Sequence, residues 1–149
     1  MSLEKDITQK MKEAMKAKDK PKLEAIRAIK NAILQEKTKA GAGDELDEAT
    51  ELKMLQKLVK QREDSAEIYK KESRNELAEK EIFEANIIKE FLPEALSEEE
   101  IKAEIDKIIS ETGASSMKDM GKVMGMANKQ MAGRADGKLI SEIVKARLQ

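Results

Sequence analysis

Apolar residues return every three or four positions along almost the whole chain. Such spacing lines one side of an α-helix, whereas a strand would need strict alternation. Leu3, Ile7, Met11 and Met15 form the first stripe, on a helix ending near Lys18. Asp19 follows as a candidate cap, and Pro21 suits a first helical turn. The second helix then carries Leu23, Ile26, Ile29 and Ile33 to about Thr38. Ala40-Gly41-Ala42-Gly43 breaks it and gives a flexible connection. A third helix runs from about Asp47 to Glu72, with Leu55, Leu58, Val59, Ala66 and Tyr69 on one side. Arg62 falls inside that stripe, so its charge must snorkel or find a partner on a neighbouring helix. The expected partner is a Glu of the first or fourth helix. The fourth helix, from about Arg74 to Leu92, carries Leu77, Phe83, Ile87, Ile88 and Phe91. Pro93 ends it, because the residue before a proline is pushed out of the α region.

A clean restart follows. Ser97-Glu98-Glu99-Glu100 reads as a capping box, Ser97 as cap and Glu100 reaching back. Ile101, Ile105, Ile108 and Ile109 stripe a fifth helix, which Thr112-Gly113 stops. Ser115 or Ser116 is the expected cap of a sixth, reaching about Met131. Gly133 ends that helix, and Asp136 caps a seventh with Leu139, Ile140, Ile143, Val144 and Leu148. The reading is an all-α chain of two domains divided between Leu92 and Ser97. Residues 1–93 form a bundle of about four helices, and residues 94–149 a three-helix bundle.

Composition agrees with long solvated helices. Charged residues make up 40% of the chain, against roughly 25% in an average domain, and there are one Tyr, two Phe and no Trp. Strands would call for more aromatic and β-branched side chains. With no Cys and no His, the chain lacks a thiol nucleophile, disulfides and the usual neutral-pH base. No metal or cofactor is expected. Met1 to Asp6 is polar and acidic, without an apolar signal core, and no run approaches a membrane span. The cytoplasm is therefore the expected location.

Catalytic patterns are missing. Glu98-Glu99-Glu100 reads as ordinary first-turn carboxylates facing the helix dipole. Ser115-Ser116 has no base to activate it. Gly121-Lys122 lacks the glycine five residues earlier that a phosphate loop requires. Gly121 and Gly125, four apart, read as a place of close helix packing. Met117, Met120, Met124 and Met131 share a face with Ala127, which reads first as core and second as an adaptable groove.

The distribution of charge is more informative. Ser97 to Thr112 holds six acids and two lysines, a net of −4. Gly113 to Gln149 holds seven bases and three acids, a net of +4. Lys118, Lys122 and Lys129 are expected to share one stripe with Gly125, away from the methionines. Arg134 lies in the following loop, and Lys138 and Lys145 lie off the apolar side of the seventh helix. Such a surface suits phosphate contacts. Without a nearby exposed aromatic, bases are not expected to stack, and RNA would be read by shape and phosphate.

Several stretches together resemble a known family. They are Met11-Lys12-Glu13-Ala14-Met15-Lys16-Ala17-Lys18-Asp19-Lys20, Lys60-Gln61-Arg62-Glu63-Asp64-Ser65 with Tyr69, and Phe91-Leu92-Pro93-Glu94 leading into Leu96-Ser97-Glu98-Glu99-Glu100. The most specific are Gly113-Ala114-Ser115-Ser116-Met117-Lys118-Asp119-Met120-Gly121-Lys122-Val123-Met124 and Gly133-Arg134-Ala135-Asp136-Gly137-Lys138. Over essentially its whole length the chain resembles the stand-alone YqeY-like proteins of the GatB/YqeY family. That family is similar to the helical and tail domains of the B subunit of tRNA-dependent amidotransferases. The resemblance implies a tail that touches tRNA, with the amidotransfer chemistry residing elsewhere. It also implies a carbon–nitrogen ligase label, with glutamine as amido donor, by homology only.

The combined expectation is a non-catalytic module for tRNA or a tRNA-handling enzyme. Lys118, Lys122, Lys129, Arg134 and Lys138 are the expected contacts. The alternative is a helical protein–protein adaptor that binds no RNA. A third reading, an enzyme, is disfavoured by the missing His, Cys and catalytic motif. The domain division has its own test. Limited proteolysis should cut near Pro93 or within Ala40–Gly43, and an isolated Leu96–Gln149 fragment should be helical by circular dichroism. Some 54 residues without a disulfide or metal will be only marginally stable. A random-coil spectrum would reject the division.

Overall fold

The computed structural model describes residues 3–39 and 46–149, so the Ala40-Gly41-Ala42-Gly43 connection lies outside the described residues. Among the described residues the chain forms seven α-helices and one 3₁₀ turn, with no strand. The all-α class read from the apolar spacing holds. The chain divides into two compact units, Met1–Leu92 and Pro93–Gln149.

The first unit contains α1 (Leu3–Lys16), α2 (Lys20–Lys39), α3 (Glu48–Lys71) and α4 (Asn75–Lys89). α3 and α4 form a helical hairpin, and α2 packs against α1, α3 and α4. The core joins Leu3, Ile7 and Ala14 of α1 to Ala25, Ile26, Ile29 and Ile33 of α2. Met54, Leu55 and Val59 of α3 and Ala85, Ile87 and Ile88 of α4 complete it. Three expected stripe members are exposed instead: Met15 is 57% exposed, Leu77 41% and Phe83 43%. A spacing of four drifts around the helix, leaving Met15 about 120° from Leu3 but Ala14 within about 20° of it. Ala14 is accordingly buried.

The helix ends are closed by backbone geometry. After α1, the Asp19 N–H donates to the Ala14 carbonyl at 3.0 Å and the Lys18 N–H to Met15 at 3.2 Å. After α3, the Arg74 N–H donates to Tyr69 at 2.8 Å and the Ser73 N–H to Lys70 at 3.1 Å. Both are Schellman closures, whose pivot residue must be left-handed. The pivots here are Lys18 at φ 56° and Ser73 at φ 61°. Glycine takes that conformation freely, whereas another L-residue is held there at about 1–2 kcal/mol. Downstream, the Asp19 carboxylate accepts the Lys22 N–H at 3.2 Å, as its capping position predicts.

Arg62 has the kind of partner that its place in the stripe demands. Its Nε donates to Glu84 Oε2 of α4 at 3.2 Å, with both side chains only 16% exposed. Nη1 donates to the Leu58 carbonyl at 3.1 Å. The pair ties α3 to α4 across a half-buried seam. Lys89–Glu63 at 3.6 Å joins the same two helices but is exposed.

The second unit holds α5 (Glu98–Thr112), a 3₁₀ turn (Met117–Asp119), α6 (Met120–Gln130) and α7 (Gly137–Leu148). Ile101, Ile105 and Ile108 meet Val123, Ala127 and Met131, and all six meet Ile140, Ile143, Val144 and Leu148. Burying each large aliphatic side chain contributes about 1.5–3 kcal/mol, and these ten residues span all three helices. The methionine face is therefore mainly core. Met120 and Met124 pack against it, Met126 joins them from outside the expected face, and Met117 stays 41% exposed.

The capping box is complete. The Glu100 N–H donates to Ser97 Oγ at 3.2 Å, and the Ser97 N–H donates to Glu100 Oε1 at 3.2 Å. That backbone N–H, followed by the Ser97 hydroxyl, holds the Glu100 carboxyl below the ordinary carboxylate range. Gly113 ends α5 at φ 69°, and the Asp136 carboxylate accepts the Lys138 N–H at 3.1 Å to start α7. The serine cap expected for the sixth helix is not made: neither Ser115 nor Ser116 caps it through its side chain. Instead the Asp119 carboxylate reaches back to the Ser115 N–H at 3.1 Å. The chain enters through a 3₁₀ turn, which shifts the capping geometry away from the serines.

The seam sets a measurable stability difference. Arg62→Ala leaves Glu84 half-buried and unpaired, so urea unfolding should show a loss of about 2 kcal/mol. The exposed Lys89→Ala should lose no more than about 1 kcal/mol. A double-mutant cycle of Arg62→Ala with Glu84→Ala should return a coupling above about 1 kcal/mol.

Candidate nucleic-acid interface

Lys118, Lys122, Lys129, Arg134 and Lys138 are all exposed. Lys122 and Lys129 lie seven residues apart on α6, close to two full turns, with Gly125 between them on the same stripe. The sequence pattern places Lys118 on that stripe too, but it sits on the 3₁₀ turn before α6, outside the helical periodicity. The 3₁₀ turn packs against both α6 and α7. Lys138 lies in the first turn of α7, just after its cap.

Charge pairing separates these residues from their neighbours. Among the described residues, no carboxylate lies within ion-pair distance of Lys118, Lys122, Lys129 or Lys138. Two of the three acids after Gly113 are engaged with backbone amides, Asp119 with Ser115 and Asp136 with Lys138. Arg147 is engaged as well: its Nε donates to Asp106 Oδ1 of α5 at 2.8 Å. It thus spends its charge on the acidic helix rather than on the basic side.

Arg134 differs from the lysines. Its Nε donates to the Glu94 carbonyl at 3.0 Å, and its own carbonyl accepts the Leu96 N–H at 2.8 Å. The two bonds fasten residues 94–96 to the turn between α6 and α7. The side chain is exposed, and its charge contributes to the lowering at Glu100. Sequence spacing could not reveal this latch, because its partners lie 40 residues apart.

Gly121 and Gly125 correct another expectation. Neither packs against a neighbouring helix: a Cβ built on either meets nothing within 4 Å, and both are exposed. Gly121 in the first turn and Gly125 in the middle of a short helix weaken it without any packing gain among the described residues. What they leave is a low, side-chain-free strip beside Lys122 and Lys129. Among the described residues, no group of three or more Cys, His, Asp or Glu could hold a metal ion. No helix there is long and apolar enough to cross a membrane.

The sequence model of the Yqey-like protein family matches residues 4–148. The protein "Altered inheritance of mitochondria protein 41, mitochondrial" of Clavispora lusitaniae is 38% identical over 108 residues, 70% of this chain and 61% of that protein. Its namesake in Lachancea thermotolerans is 34% identical over 113 residues, 74% of this chain and 60% of that protein. The chain thus spans about three-fifths of the length of these two relatives. A glutamyl-tRNA(Gln) amidotransferase subunit of Thermococcus gammatolerans is 41% identical over 58 residues, 36% of this chain and 9% of that protein. The cytoplasmic location expected from the polar first residues is overturned by the two relatives named as mitochondrial. Polar residues at the start of the sequence do not choose between aqueous compartments.

The open glycines make a simple test of the local energetics. Gly125→Ala should raise stability by about 0.5–1 kcal/mol, and Gly121→Ala in the first turn by less, because an added methyl meets open space and helix propensity improves. Thermal unfolding reads this directly. A loss of stability at either position would mean that the glycine is needed for packing.

Proposed function

This chain belongs to the Yqey-like protein family, and from that membership we propose that it is a non-catalytic module that binds tRNA or serves a tRNA-handling enzyme. Four exposed lysines of the second unit, without carboxylate partners among the described residues, carry this reading. The partial similarity to a protein named as a glutamyl-tRNA(Gln) amidotransferase subunit supports it. The sequence supplies no His or Cys for chemistry of its own.

In this reading Lys118, Lys122, Lys129 and Lys138 meet the sugar–phosphate backbone as point charges. The glycine strip of α6 lets that backbone approach closely. Arg134 adds a planar donor at the neighbouring turn while holding the 94–96 segment in place. Long-range attraction provides most of the affinity, and recognition is by shape and phosphate position rather than by base edges.

Titration of the full chain with bulk tRNA at several salt concentrations tests the reading. The three to four phosphate contacts of this surface should contribute about −2 to −4 to the slope of log K against log salt. Lys122→Ala should flatten that slope by about one unit with the fold intact. Arg134→Ala is a poorer probe, because it also removes the bond to Glu94 and should raise proteolysis near Pro93. Absence of tRNA binding at low salt would leave the protein–protein adaptor as the better reading.

A further inference from the structure

We propose that the corner where α1 turns into α2 is a second nucleic-acid surface, separate from the lysines of the second unit. Residues Met1–Leu92 carry twenty bases and twenty acids, a net of zero. That balance conceals a concentration: between Lys10 and Lys30, eight bases face three acids, a net of +5. The excess exceeds the +4 of the whole Gly113–Gln149 segment in fewer residues.

The three acids are already engaged. Glu13 takes a hydrogen bond from Gln9 and pairs with Lys10 at 3.5 Å. Asp19 accepts the Lys22 N–H. Glu24 pairs with Lys80 of α4 at 3.6 Å. Lys12, Lys16, Lys18 and Lys20 are exposed, and among the described residues none has an ion-pair partner.

Two of these lysines stand where local physics disfavours them. Lys18 occupies the left-handed pivot of the Schellman closure, at φ 56°. Glycine fits that position without strain, and no hydrogen bond or ion pair of the Lys18 side chain within the described residues accounts for a lysine there. Lys20 begins α2, whose first turn contains no acid, so its charge opposes the helix dipole. Lys18 gains some return from the carbonyl end of α1 just before it. Lys20 gains none from its own helix, and an exposed, unpaired cluster of this kind is open to a partner outside the chain.

The partner's chemistry follows from what surrounds the amines. Leu3, Ile7 and Ala14, the apolar side of α1, are buried in the core. Among the described residues, Met15 is the one large apolar side chain exposed in the corner. A membrane-surface helix needs an apolar face to insert, which this corner lacks. The corner has no aromatic residue for bases to stack on. Fixed amines around a closed turn, with little apolar surface, suit a sugar–phosphate backbone. The inference shares with the proposed function only the class of partner, and it invokes none of the same residues.

The test titrates bulk tRNA against the full chain at several salt concentrations. Lys18→Gly removes one charge at a position where glycine is unstrained, so thermal stability should hold or rise. The log K against log salt slope should then flatten by about 0.7–0.9. Lys16→Ala, Lys18→Gly and Lys20→Ala combined should flatten it by about two to three units. If this triple variant fails to fold, Lys18→Gly alone decides. Wild-type binding by the corner variants, with Lys122→Ala still weakened, overturns the inference and leaves the proposed function standing. The opposite pattern upholds the corner and removes the reading built on the second unit. Corner variants that lose binding only to anionic phospholipid vesicles, with tRNA binding unchanged, assign the surface to membranes and overturn the inference. Wild-type protein that retains no tRNA at low salt overturns both.

Discussion

Every helix leaves unpaired amides at its start and unpaired carbonyls at its end, and this chain depends on closing them in very few residues. It has no disulfide and almost no aromatic side chain. Its cores are therefore aliphatic stripes, which bury only when each helix stops and the chain turns back. The stops at Lys18, Ser73 and Gly113 are made by left-handed backbone, and Asp19, Asp47, Ser97 and Asp136 restart the next helix with a side-chain acceptor. Aliphatic burial supplies the larger energy, but the closures decide which stripe meets which.

Those closures are also the most legible part of the sequence. Asp19, Ser97, Gly113 and Asp136 announce themselves through residue type and short spacing, and each acts where expected. Core membership is less legible, because spacing alone does not fix phase. A run of fours carries the first stripe from Leu3 to Met15, and the helix turns past it. Arg62 is readable as needing an acid, yet Glu84 is one of several glutamates on α4, and only the packing of α3 on α4 selects it. Ser115-Ser116 misleads because a 3₁₀ turn intervenes before α6. At the candidate interface, the lysines can be named from the sequence. The Glu94–Arg134 latch and the emptiness around Gly121 and Gly125 cannot, since both depend on how distant segments meet.

Net charge obscures the electrostatics for a related reason. A total of −1 excludes a polycation, but cancellation occurs between segments rather than between neighbours. In the second unit α5 is acidic and the following segment basic, and the Arg147–Asp106 bridge links them. In the first unit the acids beside the α1–α2 corner are drawn into a cap, a local pair and a bridge to α4. Screening over about 8 Å at physiological salt makes such segregation matter. A polyanion senses the amines within one Debye length, and the compensating carboxylates farther away count for little.

Lys18, Lys20, Gly121 and Gly125 therefore belong in one argument. A left-handed lysine, a lysine against a helix dipole, a first-turn glycine and a mid-helix glycine each oppose local stability, and among the described residues none gains a side-chain bond or packing contact that explains it. Elsewhere the same chain mostly obeys the local rules, with a full capping box at Ser97 and a glycine at the left-handed end of α5, Ser73 after α3 being the exception. Departures confined to exposed positions beside unpaired lysines are not what a sequence optimised only for folding would show. They are what a surface shows when something else must come close to it: glycine removes the side chain in the way, and lysine supplies charge at the point of approach. The stability cost stays small because each departure lies at a helix end or on a solvated face, leaving the aliphatic seams to hold the units together.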